Sequence, residues 1–266
     1  MGKVIAICNQ KGGVGKTTTA LSTAVALSKD EYKVLVIDCD DGNAGLTKQL
    51  GYDSDRIEYT LTDLLLFEFY NRMDMLPNLI DSCILHHSEG IDVITADNKL
   101  AEITNNLASA QDENKRKTLS RILNKIRDRY DYILLDTAPT LNILFVNALA
   151  ATDEVVVVTQ SQGAAEAAIG ELIQTVINVK ERINPSIIIK GLLINMVDNR
   201  IKYEKDKSQL IDRSYSDLGM KVFKNKIPRA IAAAKSFDEN KSIFSFDARS
   251  PVAIAYKNFA EELISD

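Results

Sequence analysis

Lys11-Gly12-Gly13-Val14-Gly15-Lys16-Thr17-Thr18 stands between an apolar run, Val4 to Cys8, and an alanine-rich helical pattern. In that context it reads as a phosphate-binding loop joining a strand to a helix. A phosphate chain needs several N–H donors converging on one point, and Gly12, Gly13 and Gly15 let the backbone approach without Cβ clashes. A helix opening near Lys16 adds its positive dipole end. In such a loop the closing pair has set tasks: Lys16 reaches the β/γ-phosphates and the Thr17 hydroxyl serves Mg²⁺. The spacing G-x-x-x-x-G-K-[ST] is not met strictly, because its first glycine would fall at Gln10. The loop is a variant that carries an extra lysine, Lys11.

Downstream, Ala20, Leu21, Ala24, Val25 and Leu27 recur at helical spacing within Thr17 to Ser28. Lys33 to Asp38 is then a continuous apolar run, as expected of a parallel strand covered on both faces. It ends in Asp38-Cys39-Asp40-Asp41-Gly42-Asn43-Ala44, and carboxylates at that end of a strand fall where open α/β sheets bind ligands. Tyr132-Ile133-Leu134-Leu135-Asp136 repeats the arrangement, so Asp136 joins Asp38 and Asp40 as a third acid at one site. Further strands are predicted over Ile91–Ala96, Glu154–Thr159 and Ile187–Met196, and helices over Lys99–Leu107, Asp112–Arg129, Leu141–Ala150, Ala164–Glu181 and Pro251–Ser265. This alternation specifies an α/β fold: a doubly wound, mostly parallel sheet with helices on both faces. No linker or low-complexity tract divides residues 1–266, so we expect one domain.

The stretch from Tyr52 to Asp112 says least. Thr60-Leu61-Thr62-Asp63 forms a capping-box pattern opening a short helix through Leu66, and Phe67, Phe69, Tyr70, Met73 and Met75 read as packing residues. His86 and His87 read as loop residues, and Cys8, Cys39 and Cys83, with no C-x-x-C pair, as small core fillers. The charged face of Asp112–Arg129 reads as solvated surface. With 45% hydrophobic residues the chain can bury a sizeable core. It has no apolar run of the ~18 residues that a membrane span requires, and the expectation is a cytoplasmic protein.

The net charge of −5 argues against a nucleic-acid partner, but it is unevenly placed. Residues 1–189 carry −8 and residues 190–266 carry +3, with +5 inside Asn199–Arg229. Aromatic residues are thin there, only Tyr203, Tyr215 and Phe223, so neutralisation of a duplex backbone fits better than stacking on single-stranded bases.

The loop with its leading Asn9-Gln10 resembles the deviant Walker A motif of the ParA/MinD family of dimeric P-loop ATPases, and the resemblance covers nearly the whole chain. It implies that Lys11 crosses a dimer interface to the partner's nucleotide, and that Lys11, Lys16 and Asp40 are catalytic, Asp40 orienting the attacking water. It implies nucleotide contacts from Gly12, Gly13, Val14, Gly15, Lys16, Thr17 and Thr18, with Asn195 at the adenine edge and Pro228 beside the base. Thr17, Asp38 and Asp136 become the Mg²⁺ set, and Arg200 and Arg229 the DNA contacts. The family pattern Asp-x-Asp-Pro-Gln-Gly-Asn-Ala is one residue shorter here, Asp41 replacing Pro-Gln. The implied function is that of a Soj-like partition ATPase: an ATP-bound homodimer on non-specific double-stranded DNA, nucleoid-associated, released when a ParB-like centromere-binding partner stimulates slow hydrolysis of ATP. A MinD-like membrane role is the alternative, against which the terminal helix lacks a basic polar face. A small-metabolite ligase or kinase is a third.

Overall fold

The computed structural model describes the chain except residues 73, 75–77, 111, 162–164, 199 and 266. The readings that touch Met73, Met75, Ala164 and Asn199 therefore lie outside the described residues. Seven strands form one sheet in the order β3-β4-β2-β5-β1-β6-β7. They are β1 (Lys3–Cys8), β2 (Val34–Cys39), β3 (Leu85–His86), β4 (Asp92–Ile94), β5 (Tyr132–Thr137), β6 (Glu154–Gln160) and β7 (Ile188–Asn195). Every pairing is parallel except that of β3 with β4 at one edge.

Strand alternation builds two cores. Val4, Ala6 and Cys8 point into one face and Ile5 and Ile7 into the other, all fully buried, which is why β1 carries no polar alternation. The second face is covered by α1 (Lys16–Lys29), α11 (Ile243–Asp247) and α12 (Pro251–Ile264). Tyr256 of α12 is buried against α1 and shares a hydrogen bond of 3.2 Å with the Thr19 hydroxyl. Ser250 caps α12 by accepting from the Ala253 N–H, with Pro251 in the first turn. The first face holds α3 (Leu61–Phe69), α5 (Leu100–Ser109), α6 (Thr118–Leu123), α7 (Ile143–Ala150) and α8 (Ala165–Arg182). The short α2 (Gly45–Gln49) and α4 (Leu79–Cys83), then α9 (Lys202–Asp217) and α10 (Ile231–Asp238), complete the helices among the described residues. None is long and apolar enough to cross a membrane.

Three expectations change. The helix predicted over Asp112–Arg129 is α6 alone, flanked by 3₁₀ turns at Glu113–Lys117 and Arg127–Arg129. Its apolar stripe, Leu119, Ile122, Leu123 and Ile126, is buried as the periodicity required. The break lets Arg127 turn back to donate to the Gly2 carbonyl and to Asp153. The charges of this stretch are likewise not simply solvated: Arg121 and Lys125 donate to Glu68 of α3 at 2.6 and 3.0 Å. His86 lies in β3, not a loop, with its Nδ1 against the Asp92 carboxylate. The capping box stands, Thr60 accepting from Thr62 N–H while Asp63 accepts from Thr60 N–H. All three cysteines are free and buried.

Candidate phosphate and metal site

The loop leaves β1 at the C-terminal edge of the sheet, where β1 lies between β5 and β6. Gly13 and Gly15 take positive φ, 72° and 91°, a region glycine enters without strain. A Cβ on Gly15 would stand 2.3 Å from Asn195 Nδ2, so this glycine answers both a conformation and a close approach. Asn195, at the end of β7, donates from Nδ2 to the Val14 carbonyl at 2.9 Å and so braces the loop from below. Gln160, at the end of β6, donates to the Gly13 carbonyl at 2.9 Å and also meets the Met196 sulfur.

Lys16 opens α1 and is 7% exposed. Burial lowers its pKa, and the charges of Asp136 and Asp40 oppose that fall. Thr17 donates its hydroxyl to Asp136 Oδ2 at 2.7 Å. The other oxygen, Asp136 Oδ1, is buried with no hydrogen-bond partner among the described residues. Burial, then the neighbouring charge of Asp38, drives the Asp136 pKa well up. Asp38 sits directly beside it in the β2/β5 register and is pushed up to about 6, chiefly by burial.

The carboxylate of Asp38 is engaged at both oxygens. Oδ2 accepts from the Thr47 N–H and hydroxyl at 2.9 and 2.7 Å, and Oδ1 accepts from the Asp40 N–H. Fully buried beside Asp136, it also anchors α2 and the turn that follows β2. Asp40 projects from that turn, where its Oδ1 accepts from the Gly42 and Asn43 N–H groups at 2.9 and 3.2 Å. Asp41, in the shortened segment, accepts from Asn142 Nδ2 at 2.8 Å.

The loop and the turn after β2 face a cavity of about 520 Å³ lined by Gly12 to Thr18 except Val14, by Asp40 and Asp41, and by Pro139 and Thr140. Val14 turns its side chain into the core instead. A second cavity of about 430 Å³ adjoins it at Thr18, Met196 and Phe237 and holds Asn195, Pro228 and Arg229. The first is lined by the phosphate-loop backbone, Lys16 and the acids Asp40 and Asp41, and the second is the more apolar of the two. One phosphorylated ligand with a planar head could lie across both. A magnesium ion fits the residues present: a buried carboxylate oxygen without a partner, a hydroxyl beside it and further acids nearby make a hard oxygen set that a divalent cation would satisfy.

The remaining candidates lie outside the cleft or on its rim. Lys11 is exposed, and its backbone N–H is fixed on Asn9 Oδ1 at 2.8 Å. Arg200 is exposed and forks onto Asp198 at 2.9 and 2.7 Å, while Arg229 approaches Glu204 at 3.8 Å. Gln160, Met196, Phe237 and Asn142 escaped the sequence reading. Gln160 could have been found, since it ends the strand next to β1; Phe237 could not, because no local pattern signals that α10 folds over the cleft.

Residues 2–189 match the family model described as AAA domain. The sporulation initiation inhibitor protein Soj of Bacillus subtilis is 33% identical over the whole of both chains. The chromosome partitioning protein ParA of Caulobacter vibrioides is 32% identical over 99% of this chain and 94% of its own. Among solved structures, cobyrinic acid a,c-diamide synthase from Mycobacterium smegmatis with bound ATP analog and magnesium superposes with a TM-score of 0.83 at 27% identity, covering 99% of this chain and 95% of that one.

Proposed function

The chain belongs to the AAA-domain family of P-loop ATPases that includes Soj and ParA, and we propose that it is an ATP-switched partition protein that moves DNA. Substrate ATP would lie with its phosphates in the loop cavity and its base against Pro228 and Asn195. The loop amides and Lys16 would hold the β/γ-phosphates, and Asp40, fixed by its own turn, would orient the attacking water. Thr17 and Asp136, with Asp38 beside them, would hold magnesium, which supplies neutralisation of the phosphate charge when bound. Lys11, exposed on the loop, would reach the nucleotide of a second copy, so that ATP closes a homodimer.

One observation carries the switch. The end of β7 touches both halves of the proposed function: Asn195 braces the loop at Val14, and three residues later Asp198 holds Arg200. A closed dimer would set two basic segments side by side, and two weak phosphate-binding patches then act with a large gain in avidity. A ParB-like partner would end that state by stimulating hydrolysis. The protein would then be nucleoid-associated while ATP-bound.

Binding to random-sequence duplex DNA should require ATP over ADP, fall steeply with salt, and vanish in an Arg200→Ala, Arg229→Ala variant. ATP-driven binding to anionic vesicles with none to DNA would replace this reading by the MinD-like one. The likeness to the M. smegmatis synthase favours a small-acceptor ligase as a second reading. That reading predicts turnover needing a small acceptor and neither DNA nor a protein partner.

A further inference from the structure

On the first face of the sheet, α7 and the last two turns of α8 leave a trough of about 420 Å³. Thr175, Asn178, Val179 and Arg182 line it at i, i+3, i+4 and i+7, one stripe of α8 about 10 Å long. Ile143, Val146 and Ile183 make its floor apolar, and Leu141 at its mouth is 36% exposed. A second hollow of about 350 Å³ shares Arg116, Arg182 and Ile183 with the first and adds Lys117. Three cations thus rim an apolar slot. Among the described residues, Arg182 and Lys117 form no ion pair with an acidic group of this chain.

The trough is also joined to the nucleotide cleft. Pro139 and Thr140 line the cleft, and Leu141 and Asn142 follow them directly into the trough. Asn142 caps α7 by accepting from the Phe145 N–H and donates to Asp41, the neighbour of Asp40. A ligand that moves this segment moves the cap, the Asp41 contact and the wall of the cleft together.

We propose that this trough docks an acidic, amphipathic helical segment of a protein partner, and that its occupation alters hydrolysis through Leu141 and Asn142. The occupant is set by complementarity: apolar side chains one helical turn apart fill the floor, and flanking carboxylates meet Lys117 and Arg182. Two turns of helix match the stripe. Docking stands apart from the partition reading; the effect on hydrolysis rests on the ATPase reading.

The test is fluorescence anisotropy with a labelled 14-residue helix-forming peptide bearing two leucines four residues apart and flanking glutamates. The control peptide carries lysines for the glutamates, and unlabelled random duplex DNA serves as competitor. The acidic probe should saturate and bind at least about tenfold tighter than the control, a difference of about 1.4 kcal/mol. Arg182→Glu should weaken it by about tenfold while Arg182→Lys retains most binding. Equal binding of both peptides, no saturable binding, or an Arg182→Glu variant that binds as well as the parent overturns the docking site. Displacement of the probe by duplex DNA would assign the trough to nucleic acid, and self-association abolished by Arg182→Glu to a second copy; either overturns the proposal. ATP turnover is read in parallel. A probe-induced change lost in Arg182→Glu supports the coupling, and binding with unchanged turnover removes the coupling but leaves the dock. Absence of turnover in every condition would instead count against the ATPase reading.

Discussion

Gly15 is where the loop is most constrained, since its φ of 91° and the nearness of Asn195 Nδ2 act on the same atom position. The alanine of Gly15→Ala would have to hold the left-handed conformation at a cost of about 1–2 kcal/mol, and its Cβ would displace Asn195 and release the Val14 carbonyl. We expect a loss of ATP affinity of at least about tenfold, measured by titration calorimetry, with a smaller fall in melting temperature. A parent-like affinity would show that the Asn195 brace is dispensable. Asp40 is a different case, because its turn uses only Oδ1, held by Gly42 and Asn43. Asp40→Ala should bind ATP but hydrolyse it about 10²–10³ times more slowly, leaving an ATP-bound, DNA-retained dimer. Near-normal partner-stimulated turnover would mean that another group positions the water. At this scale the sequence was most readable: three glycines, Lys16 with Thr17, and Asp40 after a strand end locate the cleft. The bonds from Thr47 to Asp38 were not readable, because Thr47 is nine residues away in a segment without any strong pattern.

Glu68 illustrates what happens between elements. It lies on α3 with its side chain 9% exposed, facing Arg121 of α6 and Lys125 beyond it. Burial alone would raise its pKa, but hydrogen bonds from the two cations more than offset that, and the carboxyl titrates below its ordinary value. A depressed pKa gives stability that is present above the unfolded value of about 4.3 and is lost as pH falls through the folded one. Glu68→Gln should cost about 1–2 kcal/mol at neutral pH and flatten the acid limb of the stability curve below about pH 4.3. Chemical denaturation at pH 7 and pH 3.5 checks both, and an unchanged gap between parent and variant would exclude the link. Periodicity found the buried stripe of α6, and with it the helix face. It could not find the breaks on either side, which serve the distant partners Gly2 and Asp153 of Arg127. On the basic segment, Arg200 is held by the acid two residues before it, and its hydrogen bonds bring the pKa of Asp198 down to about 2. Asp198→Asn should free the guanidinium and strengthen DNA binding by a few-fold at fixed salt; weaker binding would mean that the fork orients Arg200 for phosphate.

Across the whole molecule the doubly wound order followed from alternating strand and helix patterns, whereas the antiparallel edge β3 did not, being only two residues long. The same order brings the ends of β1, β6 and β7 side by side. That places Gln160 where it can join the loop carbonyl of Gly13 to Met196, whose backbone holds φ 55° just before the chain turns toward Arg200. A loop that shifts with the γ-phosphate would change this contact, and the basic segment would feel it through two residues of backbone. Coupling between sites is typically 1–3 kcal/mol, or roughly 5- to 150-fold in affinity. Gln160→Leu keeps the bulk and removes the amide, so it should leave ATP binding within about threefold while collapsing the ratio of DNA affinities in ATP and ADP by at least about fivefold. Duplex binding measured in both nucleotides decides the matter. A preserved ratio would place the coupling elsewhere, with the Asn195 brace as the remaining route from loop to basic segment. Loss of ATP binding itself would make Gln160 part of the phosphate site and not of the link.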